Sequence, residues 1–164
     1  MLRDAIGHHL WATTNQLDVC ATLSVEELGT EVPGTYGTIL DTLRHLVVAD
    51  CSYLRVISGG RFGDTELDES QLGVEELRAI MDTNAEGWDA VLADDDLDED
   101  RDLVRHRPDG TSTHAKLGIR LAQVVHHSSD HRSQVNTALT TLGRAPEEFD
   151  VWAYGESVGR CWDG

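Results

Sequence analysis

Basic charge is scarce in this chain, and lysine almost absent. Thirty Asp and Glu stand against thirteen Lys and Arg, with Lys116 as the single lysine, for a formal net charge of −17. Arg101, Arg105 and Arg107 are the only loose basic grouping, and acids flank them. A nucleic-acid partner is therefore excluded, because phosphate binding rests on a basic patch that releases counterions. The acid excess, densest over Asp94–Asp100, reads as surface solvation that also draws cations inward. Apolar runs are short too. None approaches the roughly 20 residues of a membrane helix, so no membrane partner is expected. The start, Met1-Leu2-Arg3-Asp4-Ala5-Ile6-Gly7-His8-His9, has neither the apolar core nor the small-residue cleavage site of a signal peptide, and the expectation is a cytoplasmic protein. Cysteine is limited to Cys20, Cys51 and Cys161, with no CxxC. That odd, wide spacing argues against a disulfide framework and for a reducing compartment. The chain also lacks a glycine-rich phosphate loop, a nucleophilic Ser or Cys motif, paired catalytic carboxylates and internal repeats.

What is present is helical periodicity. The 164 residues are long enough to bury a core and read as one domain spanning 1–164. A first helix is expected from Leu2 to about Leu23, with Leu2, Ile6, Leu10, Leu17 and Ala21 near one face, and a short turn around Ser24–Leu28. After the Pro33-Gly34 loop, Thr38 reads as the cap of a second helix, with Asp41 three residues on. Ile39, Leu43, Leu46, Val47, Tyr53, Leu54 and Ile57 form its stripe, and Gly59-Gly60 stops it. A third helix runs from Val74 to Leu92 with Leu77, Ile80, Met81, Ala85, Trp88 and Leu92 inward. Two short polar runs flank Pro108-Asp109-Gly110 and predict a β-hairpin. A fourth helix follows from Leu117 to about Leu142, with Gly143 as its stop. The tail Pro146–Gly164 carries Phe149, Val151, Trp152, Tyr154 and Trp162, enough aromatic surface to dock on the bundle. The fold class is all-α: an up-down four-helix bundle with a short hairpin before its last long helix and a docked C-terminal tail.

The fourth helix breaks its own pattern. Its stripe reads Leu117, Leu121, Val124, then His127/Ser128 and His131, then Val135, Ala138 and Leu142. His127 and His131 are four apart, which stacks two imidazoles on one face with Cβ atoms about 5–6 Å apart. Two such rings in a core cost free energy unless their nitrogens are satisfied, and one metal ion satisfies both. A third ligand must come from elsewhere. His106 and His114 lie in the hairpin and are expected to be exposed; His8 and His9 open the first helix and can be surface residues. His45, beside the second helix's stripe, is the best candidate on burial alone. His126 is about 100° around the helix from the pair and is expected to pair with Asp130, which can alternatively orient a ligand imidazole by accepting its hydrogen bond. Gln134 can serve the same way. Arg132 is expected to pair with an acid on a neighbouring helix, and Cys51 to be a small core residue.

Two local motifs then coincide. Arg44-His45-Leu46-Val47-Val48-Ala49-Asp50 and His127-Ser128-Ser129-Asp130-His131-Arg132-Ser133-Gln134 resemble the signatures of the DinB-like (DinB/YfiT) metal-binding four-helix bundles, as does Trp11-Ala12 on the first helix. The resemblance covers nearly the whole chain; Ser133 stands where glycine is frequent. It implies a divalent metal held by His45, His127 and His131, with the remaining positions open to water or substrate. Three histidines and solvent resemble a catalytic zinc site rather than a closed structural one. Zinc is the first expectation, with nickel, iron or manganese as other occupants.

The resemblance also implies chemistry. An open three-histidine metal can take up a thiol and favour its thiolate. This is similar to the thiol-dependent S-transferases and maleylpyruvate isomerases of the wider superfamily, which use low-molecular-weight thiols such as mycothiol or bacillithiol. The alternatives are metal-assisted hydrolysis and a non-catalytic metal-binding or stress-response bundle. Trp11, Tyr53, Trp88, Trp152 and Tyr154 are candidates to line a cavity above the metal, although core packing is the stronger account of any one of them. A homodimer that buries an exposed helix face is expected.

Overall fold

The computed structural model describes residues 1–64, 66–94, 97–107, 109–144, 148–162 and 164. Parts of three sequence features lie outside the described residues: Asp95 and Asp96 of the acidic run, Pro108 of the hairpin turn, and Pro146 at the head of the tail. The elements are α1 (Leu2–Cys20), α2 (Val25–Leu28), α3 (Ile39–Ile57), a 3-10 turn (Glu69–Gln71), α4 (Val74–Leu92), β1 (Asp102–His106), β2 (Ser112–Lys116), α5 (Leu117–Thr141) and α6 (Val151–Ser157).

Local chemistry sets the boundaries. Ser24 opens α2 with a full capping box: Glu27 N–H donates to its hydroxyl, and Ser24 N–H donates to the Glu27 carboxylate at 2.8 Å. Thr38 opens α3 by accepting from Asp41 N–H at 3.1 Å. Gly59 and Gly60, at φ of 68° and 86°, turn the chain out of α3 in the left-handed region where a Cβ is penalised. The antiparallel hairpin pairs Asp102 with Lys116 through His106 with Ser112 and feeds straight into α5. The first free N–H groups of α5 are not left open. Leu117 N–H donates to Arg101 C=O and Gly118 N–H to Glu99 C=O, both at 2.9 Å.

Two apolar clusters fill the ends of the bundle and fix the helix directions. One joins Leu17 and Cys20 at the end of α1 with Ile39 and Leu43 at the start of α3, Val74 and Leu77 at the start of α4, and Ala138 and Leu139 at the end of α5. The other joins Ile6 with Leu54 and Ile57, Trp88 and Leu92, and Leu117 and Leu121. The long helices α1, α3, α4 and α5 therefore run up, down, down, up. Helix α3 packs on α4 and α5, and so does α1. Because α3 and α4 run the same way, the chain must return along the bundle between them. It is tied down there by Arg44, which donates to Leu72 C=O at 2.8 Å and to Ser70 C=O at 3.0 Å.

Between the two apolar ends lies a polar waist, and it corrects several expectations. Helix α1 ends at Cys20, not near Leu23, and Ala21 is exposed. Its inward face is not a plain apolar stripe: His8, His9, Thr13 and Gln16 are buried beside Ile6, Ala12, Leu17 and Cys20. His8 and His9, at the start of the first helix, could have been surface residues. They go inside because each has a partner there: His8 Nε2 donates to Phe149 C=O at 2.8 Å, and His9 Nε2 meets Asp50 Oδ1 at 2.9 Å. The tail docks through Phe149 and Tyr154, whose rings pack on Trp11, and through Arg160, which pairs with Asp4 at 2.7 Å. Val151, Trp152 and Trp162 of the same tail are exposed. No described helix is long and apolar enough to cross a membrane.

Candidate metal centre

His45 on α3 and His127 and His131 on α5 converge across the packed pair of helices. One ligand atom from each lies within 4.8 Å of the other two, and no carboxylate or thiolate joins them among the described residues. The rings sit 4.4 to 5.0 Å apart by centroid. His127 Nε2 and His45 Nε2 are 3.1 Å apart. In a tetrahedral zinc site, with Zn–N of about 2.0–2.1 Å, two ligand nitrogens stand about 3.3 Å apart, so this edge has the span such an ion needs. Ser128, 1 % exposed, is the interior position of that turn of α5, and His127 lies half-buried beside it.

The donor set also has the protonation an ion needs. Burial foremost, then the neighbouring His131 and His45, pushes His127 down to about 4. His45 is lowered by the same burial and by His131. At neutral pH both imidazoles therefore keep lone pairs rather than charge. His131 is oriented by Gln134. The Gln134 oxygen accepts Tyr36 N–H at 3.0 Å and lies 3.1 Å from His131 Nδ1. A backbone N–H can only donate, so the atom facing it is the amide oxygen, and His131 Nδ1 must then carry the hydrogen. Its Nε2 is left as the lone-pair atom, turned away from Gln134.

Of the five candidate pocket rings, Tyr53 alone has a ring contact with the cluster among the described residues, edge-on to His127 at 5.6 Å. Trp88 is fully buried and its Nε1–H points at Asp50, 3.2 and 3.3 Å from its two oxygens. Trp11 and Tyr154 pack beside His8, and Trp152 is 73 % exposed. Asp130 is exposed and pairs with His126 at 3.3 Å rather than with a cluster imidazole. His106 and His114 are exposed. Tyr36 was not singled out in the sequence, yet its ring stacks on His45 at 4.1 Å and meets His131 edge-on at 5.5 Å. Nothing but an aromatic following the Pro33-Gly34 turn marked it.

A second polar assembly was also missed. Asp50 Oδ1 takes the His9 contact, its Oδ2 accepts from Asn84 at 2.8 Å, and Trp88 reaches both oxygens. Arg132 lies inside this network. It donates to Thr13 Oγ1 at 3.1 Å and Ser129 Oγ at 3.4 Å and sits 3.4 Å from His9 Nδ1. The expected acid partner is replaced by hydroxyls and an imidazole, because the buried acid within the bundle, Asp50, is already enclosed by His9, Asn84 and Trp88. A guanidinium only donates, so His9 Nδ1 is an acceptor and its Nε2–H faces Asp50. Burial lowers Arg132 to about 10, still a cation at neutral pH. In the sequence, the trace of this network was Asp50 closing the motif begun by Arg44 and His45.

The fold and site together define a helical bundle with a three-histidine cluster, able to hold a divalent ion, between its antiparallel helices α3 and α5. The family model described as DinB family matches residues 2–160, and the chain belongs to that family. No curated protein matches the chain.

Proposed function

We propose that this protein binds a divalent metal, zinc first, through His45, His127 and His131 and uses it as a metal-dependent thiol S-transferase. The observation that carries the reading is three imidazole nitrogens within 4.8 Å, from two helices, with no fourth protein ligand among the described residues. A closed site of four ligands serves structure; three leave a position for an exogenous molecule. A metal held there would lower the pKa of a thiol or water that enters the open position.

The chain's own residues account for the rest. His45 and His127 stay neutral and available. Gln134 fixes the tautomer of His131, the kind of support that holds a ligand ring in place. Tyr36 and Tyr53 flank the cluster and limit what approaches it. Cys20 and Cys51 do not compete as the nucleophile, being buried and pushed up to about 12 and about 11, and Cys161, half-buried against Gly155 in the tail, is not part of the histidine cluster. The thiol is thus supplied from outside, as a low-molecular-weight thiol of the mycothiol or bacillithiol kind.

Two measurements test this. Elemental analysis of purified protein is expected to find one divalent metal per chain, absent from His127→Ala and His131→Ala; unchanged metal content in both variants would sink the site. Metal-loaded protein is then mixed with mycothiol, bacillithiol or glutathione and a generic electrophile. Conjugation is expected to exceed that of His45→Ala, and equal rates would leave a metal-binding bundle without transferase activity.

A further inference from the structure

In a chain of net charge −17, Arg105 and Arg120 are near neighbours where the hairpin meets α5, and neither has an acidic partner among the described residues. The side chain of Arg105, on β1, makes no ion pair or hydrogen bond among the described residues. It faces Thr113 across the hairpin, and Arg120 of α5 donates to that same Thr113 C=O at 3.1 Å. Arg120 Nε is buried with no hydrogen-bond partner. Burial, and after it the Arg105 charge, lowers Arg120. Two neighbouring guanidiniums without an acid partner are a place where an anion would be favoured.

A cavity of about 560 Å³ opens beside Arg105, between the end of α3 and β1; Ser52, Arg55, Val56, Gly59, Gly60 and the Val104–His106 strand line it, with no carboxylate among the described lining residues, and Arg120 lies outside its wall. Four other cavities on the molecule each have at least one acid in their walls.

Its position relative to the three histidines follows from helical spacing. Ser52 is seven residues after His45 on α3, and Arg120 is seven residues before His127 on α5. Seven residues are two turns, which return to the same face about 10 Å along the axis. Since α3 and α5 are antiparallel, both displacements point the same way along the bundle. Between the histidines and the arginines stand Tyr53, against His127, and Gln123, whose amide reaches Tyr53 Oη at 3.5 Å.

We propose that this cavity between the end of α3 and β1 is a recognition site for the anionic end, a carboxylate, of the small molecule whose thiol reaches the three-histidine centre. Arg105 and Arg55, both in the cavity wall, grip the charge, and Arg120, donating to Thr113 C=O behind the strand, adds its positive field. The assignment of the thiol end rests on the function proposed above; the anion site stands on its own residues. The cavity then selects thiols that carry a negative group about 10 Å from sulfur. The net acidity of the surface turns anions away everywhere else.

Calorimetry with two probes, ω-mercaptooctanoate and ω-mercaptooctanol, on metal-free and zinc-loaded protein tests this. Their extended chains are of similar length, and one ends in a carboxylate, the other in a neutral hydroxyl. The metal-free protein is expected to bind the carboxylate about 10-fold more tightly, the scale of a charge-assisted hydrogen bond. The preference should collapse in Arg105→Gln, an exposed substitution that spares the fold, and in Arg120→Gln. Equal binding or no binding of the two probes by the unaltered protein, or a preference retained in both variants, would overturn the proposal. Zinc should tighten both probes alike. If it tightens neither, the thiol–metal reading fails while the carboxylate preference still decides the anion site.

Discussion

The waist of the bundle holds two groups of buried polar residues built from similar parts and finished differently. In the first, His9 has Asp50 on one nitrogen and Thr13 and Arg132 near the other, and Asp50 has both oxygens engaged. His9 and Asp50 are 1 % and 2 % exposed. In the second, His45, His127 and His131 turn toward one another at the half-buried face between α3 and α5, and the support comes from behind, through Gln134. A histidine inside a bundle is therefore not a metal ligand by virtue of burial. What separates the groups is saturation: one has its partners within the protein, and the other leaves lone pairs aimed at a common point.

That contrast is broken most severely through Asp50. In Asp50→Ala, His9, Asn84 and Trp88 lose their shared acceptor inside the core, and each buried donor left unpaired costs about 1–3 kcal/mol. The loss in unfolding free energy is expected to be on the order of 3–5 kcal/mol, read by denaturant titration. Metal content per folded molecule should be nearly unchanged. If Asp50→Ala instead empties the metal while leaving stability alone, the division of labour drawn between the two groups is wrong.

The reverse result is expected from His127→Ala. A metal that binds only the folded chain stabilises it by about 2.7 kcal/mol at a concentration 100 times its dissociation constant. Adding metal should therefore raise the melting temperature of the unaltered protein and do nothing for His127→Ala. Without metal, the two should melt close together, because His127 is half-buried and lies at the edge of the apolar clusters, beside Tyr53, rather than inside one. A metal-dependent rise that survives in the variant would place the ion elsewhere.

The same contrast explains what the sequence could show. The metal group was legible because two of its members are four apart on one helix and interrupt an apolar stripe, a pattern periodicity exposes. His45 followed from its place beside a second stripe and from the motif around it. The Asp50 group was illegible because its members come from α1, α3, α4 and α5, one or two from each. In isolation, His9 looks like a surface residue near a helix start, and Arg132 like half of a surface ion pair. Tyr36 sits in a loop, where no period reports a side chain's direction. Helix existence was readable from stripes and caps: Val74–Leu92 and the Thr38 cap came out as expected. The shared direction of α3 and α4 was not, since it depends on how the chain from Ser58 to Gly73 returns along the bundle.

A finer test leaves all three ligands in place and loosens one. Gln134 ties His131 Nδ1–H to Tyr36 N–H, so Gln134→Ala frees the tautomer of His131 and the ring above His45 together. Loss of such outer support typically costs 10–100-fold in metal affinity. That range is expected in a competition titration against a chelator, with global stability changed by no more than about 1 kcal/mol since Gln134 is only partly buried. An unchanged affinity would mean that packing alone orients His131.

The mildest perturbation is acid applied to metal-free protein. His45 and His127 lie below their ordinary values in the folded chain, His127 at about 4, with burial as the first cause in each. Between about pH 6.5, the ordinary histidine value, and that lower value, the unfolded chain holds protons that the folded chain does not. Stability from these rings is therefore complete above the unfolded value and declines as pH falls through the window. The decline should be gentle, at most one proton per ring. It should be shallower in His127→Asn, which cannot take up that proton. Zinc should deepen it, because acid then removes the ion as well as protonating the ligands. A profile identical in His127→Asn and the unaltered protein, with and without zinc, would show that acid acts elsewhere.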